Sequence, residues 1–214
     1  MSKPQSVVVS DAWSIRQELH ALGLTPEGVI DIARQAAAAK AEALAIDPCS
    51  TPGTFAYIRG VRAIRLMLLP EGWRVSRSGN VESTVNDDLG VQLVFQNVDL
   101  ACDFRDPQAI SGKGAGSRKL VEFGKQGELF ERADAPAEKS LGVVPVVWVL
   151  CVSTEGKKLR AEVSCPDAFE GNQFDGFSKR IFVVNEDLGP GLHQNLPLSD
   201  GGGDGEVEVR IAKK

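Results

Sequence analysis

The stretch Ser111-Gly-Lys-Gly-Ala-Gly-Ser-Arg-Lys119 combines the residue types and spacing best suited to holding an anion. Its glycines let successive backbone N–H groups converge on one point. Lys113, Arg118 and Lys119 add positive charge, and a helix expected from Arg118 to Phe130 would bring its N-terminus to the same place. The chemistry this suits is contact with phosphates. The loop is not a Walker A motif, because the GxxxxGK[ST] spacing is absent, and it does not follow a strand as a dinucleotide fingerprint should. A solvated surface turn has the same composition.

A second cationic feature is the series Arg59, Arg62 and Arg65. On a helix, steps of three residues drift by about 60°, so the three form a slanted stripe beside the apolar face. Arg74 and Arg77 follow closely. The stripe could track phosphates or receive an acidic partner. Alternatively, these arginines pair with the acids that dominate the rest of the chain.

Carboxylates offer a different chemistry. Glu82, Asp99 and Asp103 fall on or just after an expected hairpin, and acids on adjacent strands are how metal-dependent nucleases hold Mg²⁺. Such sites usually place an acid and a lysine two apart on one strand, where this chain has Gln92 and Gln96 instead. Glu155-Gly-Lys157 has that spacing but falls in a turn. Acids on a solvated sheet face are the plainer reading.

Phe169, Phe174 and Phe177 stand among glycines and polar residues, next to Lys179 and Arg180. They could stack bases or anchor a protein partner, or fold back over an open edge of the core.

Other chemistries lack their residues. His20 and His193 have no cysteine or carboxylate at ligand spacing, and no metal site is expected. There is no GxSxG elbow and no cysteine-nucleophile signature. No cofactor is expected either. Cys49, Cys102, Cys151 and Cys165 match no disulfide framework and no CxxC pair.

The elements that would carry these residues change character along the chain. Asp11 caps a short helix to Leu22, Thr25-Pro26-Glu27 opens a second to about Leu44, and Thr51-Pro52 opens a third that Pro70 ends. From Trp73 the period becomes that of strands. Residues 81–86 and 91–98 read as a hairpin closed by Asp87-Asp-Leu-Gly90, with Val91, Leu93 and Phe95 on one face. Residues 143–153 are apolar on both alternating sets, as in a central strand covered on both faces. Leu159, Ala161, Val163 and Cys165 alternate with Arg160, Glu162 and Ser164, which reads as a strand with one wet face. Residues 180–185 form another strand.

The fold expected is α+β: N-terminal helices packed on a mainly antiparallel sheet of five to six strands. One domain spans 1–214, with a helical part at 10–70, a sheet part at 73–186, a flexible connector at 187–205 and an edge strand at 206–212.

Net charge is −5, unevenly distributed. Residues 1–79 carry nine Lys and Arg against seven Asp and Glu; residues 80–214 carry fifteen against twenty-two. The whole molecule would repel a polyanion, so nucleic-acid contact needs a local basic patch. The longest apolar run, residues 143–152, is too short for a bilayer, which needs about 20 residues, and MSKPQSVVVSD lacks the apolar stretch of a signal peptide. No membrane partner and a cytoplasmic location are expected. The leading functional expectation is a non-enzymatic binding protein for a polyanion, nucleic acid foremost, or for a protein partner. The alternatives are a metal-dependent nuclease or phosphodiesterase and a structural subunit of a larger assembly.

Overall fold

The computed structural model describes residues 6–112, 114–131 and 144–188, with the backbone alone at 123 and 125–131. After a short first strand, three helices follow where they were expected. α1 (Ala12–Ala21) is capped by Asp11, whose Oδ1 accepts from the Ser14 N–H at 2.9 Å. α2 (Pro26–Ala41) is capped by Thr25, whose hydroxyl accepts from the Gly28 N–H at 3.1 Å. α3 (Thr51–Leu68) begins at Ser50 with Pro52 in its first turn, but Ser50 makes no side-chain capping bond. Side-chain caps replace acceptors that the first helical turn cannot supply for itself.

Seven strands form one sheet. In chain order they are β1 (Val7–Val9), β2 (Arg74–Ser76), β3 (Ser83–Asn86), β4 (Val91–Asn97), β5 (Val146–Glu155), β6 (Lys158–Pro166) and β9 (Phe177–Asp187). The spatial order is β1-β9-β6-β5-β4-β3-β2. β7 (Phe169–Glu170) and β8 (Gln173–Phe174) make a separate small ribbon. β5 is the middle strand, as its two apolar faces require.

Alternation along β5 explains the two cores. Leu150 and Val152 face α1–α3 with Leu93, Phe95, Ala161, Val163 and Ile181. Val147, Val149 and Cys151 face the other way, against Val121 of α4 (Ala115–Glu131) and the phenylalanines of β8 and β9. The alanines of α2 let it lie close to both α3 and the sheet: Ala33 and Ala36 are fully buried. At Gly60 a Cβ would stand 2.3 Å from the Phe95 ring, so only glycine permits α3 to approach β4 this closely.

Several expectations need correction. The sheet has seven strands, not five to six; it is mainly antiparallel, as expected, through β2-β3, β3-β4, β5-β6 and β6-β9, but β1 runs parallel to β9 and β4 parallel to β5. The parallel pair exists because α4 crosses over between β4 and β5, so helices cover both faces rather than one. β1 and β2 were not expected, being three-residue edge strands too short to show a period. The wet face assigned to the strand around Leu159–Cys165 is dry at two of its three positions: Glu162 and Ser164 are fully buried, and Arg160 is half-buried beside the exposed Glu155. Residue 187 ends β9 rather than opening a connector. Residues 189–205, the edge strand at 206–212 and residue 143 lie outside the described residues. No described helix is long and apolar enough to cross a membrane.

Candidate functional site

A cleft of about 620 Å³ lies between α3, the end of β4 and the glycine loop. Its walls follow from local structure. The chain enters α3 through a turn in which the Thr51 N–H donates to the Pro48 carbonyl at 2.9 Å. Gly53 is then fixed to the sheet, its carbonyl accepting from Asn97 Nδ2 at 2.8 Å. Opposite, the Ile110 N–H donates to the Asn97 carbonyl at 3.1 Å, and Gln173 bonds both the N–H and the carbonyl of Ala109, at 2.9 and 3.0 Å. This holds the start of the glycine loop against β4, so that Gly112, Gly114 and Ser117 line the cleft as α4 begins.

Two helix N-termini therefore open into one space. In α3 the Thr51 N–H goes to the Pro48 carbonyl, Pro52 has none and the Thr54 N–H goes to the Ser50 carbonyl at 3.0 Å, so this helix offers the cleft the Gly53 N–H together with the partial positive charge of its dipole. Lys40, in the last turn of α2, lies on the same wall and donates to Thr154 Oγ1 at 2.5 Å; burial lowers its pKa. Tyr57 lines the cleft with a phenol whose pKa is raised, by burial and then by the charge of Glu82, so it stays a hydrogen-bond donor at neutral pH. Among the described lining residues there is no Asp, Glu or His, and Lys40 is the one charged group. Such a site offers donors to an anion; for general acid–base work its lining has Lys40 and Tyr57 but no imidazole and no carboxylate among the described residues.

Of the residues expected to form the anion site, Arg118 and Lys119 are exposed on the first turns of α4 and do not line the cleft, and Arg118 is hydrogen-bonded to the Gly171 carbonyl. Lys113 lies outside the described residues. Arg59 and Arg62 are elsewhere: about 200° and 140° round α3 from the cleft-lining Tyr57, they do not share its side. Arg65 is turned to Glu82, which Arg77 also contacts at 3.1 Å. Arg74 pairs with Asp87 at 2.6 Å. Three of the five arginines thus meet acids, whereas Arg59 and Arg62 make no ion pair among the described residues.

The three carboxylates are engaged separately. Glu82 is held by the Arg65 guanidinium, whose hydrogen bond keeps its pKa below the ordinary value. Asp99 accepts from the Leu100 and Gln108 N–H groups at 2.7 and 2.9 Å and pairs with Arg105. Asp103 accepts from the Arg105 N–H at 3.3 Å. Among the described residues no group of three His, Cys, Asp or Glu is placed to hold a metal ion.

Phe169, Phe174 and Phe177 stack on one another, with ring centroids 5.1 and 5.3 Å apart, and pack in the second core. Phe177 is fully buried and Phe174 nearly so; they are core, not a displayed aromatic surface. The ribbon β7-β8 folds them back over Val147 and Val149. His20 is exposed on α1, and His193 lies outside the described residues.

Sequence reasoning did not single out Lys40, Gly53 or Tyr57. The one available signal was the helix start Ser50-Thr51-Pro52, which was read as a boundary and not as the wall of a cleft.

Comparison with protein-family models, with curated proteins and with solved structures returned no match. The class that fold and cleft define is an α+β protein with a mixed seven-stranded sheet and a donor-rich cleft at one end of β4.

Proposed function

We propose that the protein is a non-enzymatic binding protein whose ligand is a phosphate-bearing anion, with nucleic acid the foremost candidate. One observation carries this reading: in a chain of net charge −5, a cleft of about 620 Å³ has no carboxylate among its described lining residues and is bordered by the first turns of two helices and by Lys40. Its volume is in the range of small-ligand sites, so it would take one nucleotide unit, with the exposed Arg118 and Lys119, next in sequence to the lining residue Ser117, available to neighbouring phosphates. Phosphate contacts release counterions, so affinity should fall steeply with salt.

Gel shifts with single- and double-stranded DNA and RNA at low and at physiological salt test the reading. Retardation at low salt that weakens at the higher salt supports it. Binding of inorganic phosphate or free nucleotides without retardation would keep the anion site but assign it to a small molecule. No retardation of any oligonucleotide at tens of micromolar protein, and no binding of phosphate or nucleotides, would overturn it.

A further inference from the structure

α3 is apolar on two sides. Its inner side buries Ala56, Val61, Ile64 and Leu68. Its outer side carries Phe55, Ile58 and Leu66, with Leu69 directly after the helix; Leu66 is 70% exposed and Ile58 49%. Single exposed leucines are ordinary. These four, however, follow steps of three, eight and three residues, which keeps them within about 80° of one another around the axis. They form a track about 21 Å long, the length of four helical turns.

Arg62 sits at the middle of this track and Arg59 along its edge. Neither makes an ion pair among the described residues, although neighbouring Arg65, Arg74 and Arg77 all do. We propose that the outer face of α3 docks an acidic amphipathic helix of another protein, its apolar side against Phe55, Ile58 and Leu66 and its carboxylates against Arg59 and Arg62. Covering the track would desolvate two guanidinium groups, which costs free energy unless the occupant brings opposite charge. A second copy of this chain fits less well. Antiparallel pairing of two such tracks about a twofold axis would bring their centres together, placing Arg62 against Arg62. An anionic bilayer would attract the arginines, but it would face a whole side of a molecule with net charge −5.

The test is display selection of helical peptides of about five turns against the native full-length protein, followed by binding measurements on the peptides recovered. The recovered peptides should carry acidic residues around apolar ones at three- and four-residue spacing, and should bind with salt-sensitive affinity. The double variant Arg59→Glu with Arg62→Glu should lose roughly tenfold or more in affinity, as expected for central interface contacts. A lysine-for-acid version of the best peptide should regain binding to that variant. Both positions lie on the outer face of α3, so thermal unfolding should be unchanged. Peptides that bind without acids, or whose binding survives both the double variant and Leu66→Asp, would overturn the proposal. So would recovery of no binding peptide. Binding of phosphatidylserine vesicles in place of peptides would assign the face to membranes, and a dimer abolished by Leu66→Asp would assign it to a second copy; either result overturns it.

Discussion

Arg180 grips Glu162 through two parallel hydrogen bonds of 2.8 Å, from Nε to Oε1 and from Nη2 to Oε2, with both side chains out of water. Around them the polar valences are filled. Ser164 donates to Oε1 at 2.8 Å, the Cys102 N–H donates to Oε2 at 2.5 Å, and Arg180 Nη1 donates to the Arg105 carbonyl at 3.0 Å. The guanidinium lies against the Phe182 and Phe177 rings, 4.9 and 5.9 Å from their centroids. The pair fastens the segment that follows β4 to β6 and β9. A β-bulge near Ala161 and Glu162 leaves the Ala161 and Val184 carbonyls to receive the Cys102 thiol.

Removing one partner should therefore cost far more than removing both. Arg180→Ala, which leaves the buried Glu162 without a charge partner, should lose about 3–5 kcal/mol, and Glu162→Ala somewhat less, because Arg180 keeps Asp106 at 3.5 Å. Glu162→Leu with Arg180→Met should lose much less than the sum of the single changes. Urea unfolding of the three variants measures this as a coupling energy.

The fully buried Glu162 was hidden in the sequence because its strand alternates polar and apolar residues, the pattern of a half-wet strand. What covers its polar face is the segment 99–110, which is remote in sequence and has no period. By contrast, Asp11, Thr25 and the hairpin turn ending in Gly90 were legible, since capping and turn chemistry act over three or four residues. The cleft was half legible. The glycine loop announced itself by composition, but its opposite wall comes from Lys40, Gly53 and Tyr57, which only the packing of α2 and α3 brings there.

Gly60→Ala should destabilise the protein by about 1–3 kcal/mol, the cost of overpacking a core. The added methyl would meet the ring of Phe95, which is only 1% exposed and has no free direction to move. Gly53→Ala is the control, because the nearest atom to its Cβ is 4.0 Å away. Denaturant midpoints of the two variants should separate clearly.

Cysteine reactivity should divide one against three. Cys49 is exposed and lines the cleft, whereas Cys151 and Cys165 are buried. Burial, and next the nearby Glu162 charge, push the Cys102 thiol up to about 12, so almost no thiolate exists at neutral pH. Alkylation of the native protein followed by peptide mapping should find Cys49 modified first and the other three only after denaturation. A ligand in the cleft should slow the Cys49 reaction.

Acid should weaken the Arg65–Glu82–Arg77 cluster. Glu82 has its folded pKa depressed below the ordinary 4.5, first by the hydrogen bond from Arg65. A depressed carboxyl contributes stability that is fully present above its unfolded pKa and is lost as pH falls through the folded one. The urea midpoint of the native protein should therefore decline as pH drops below 4.5, and Glu82→Gln should show a shallower decline. Parallel curves for the two proteins would contradict this assignment.

Gly53→Asp bears most directly on the anion cleft. The position is in the first turn of α3, where a carboxylate complements the helix dipole, and its Cβ direction is open, so folding should persist. The new charge would project into the cleft where the ligand's phosphate is placed. In a fluorescence-anisotropy titration of a labelled single-stranded oligonucleotide at low salt, the native protein should bind saturably. The Gly53→Asp protein, with an unchanged thermal unfolding curve, should bind roughly tenfold or more weakly, equivalent to about 1.4 kcal/mol. Equal binding by the two proteins, or none by the native one, would contradict the account.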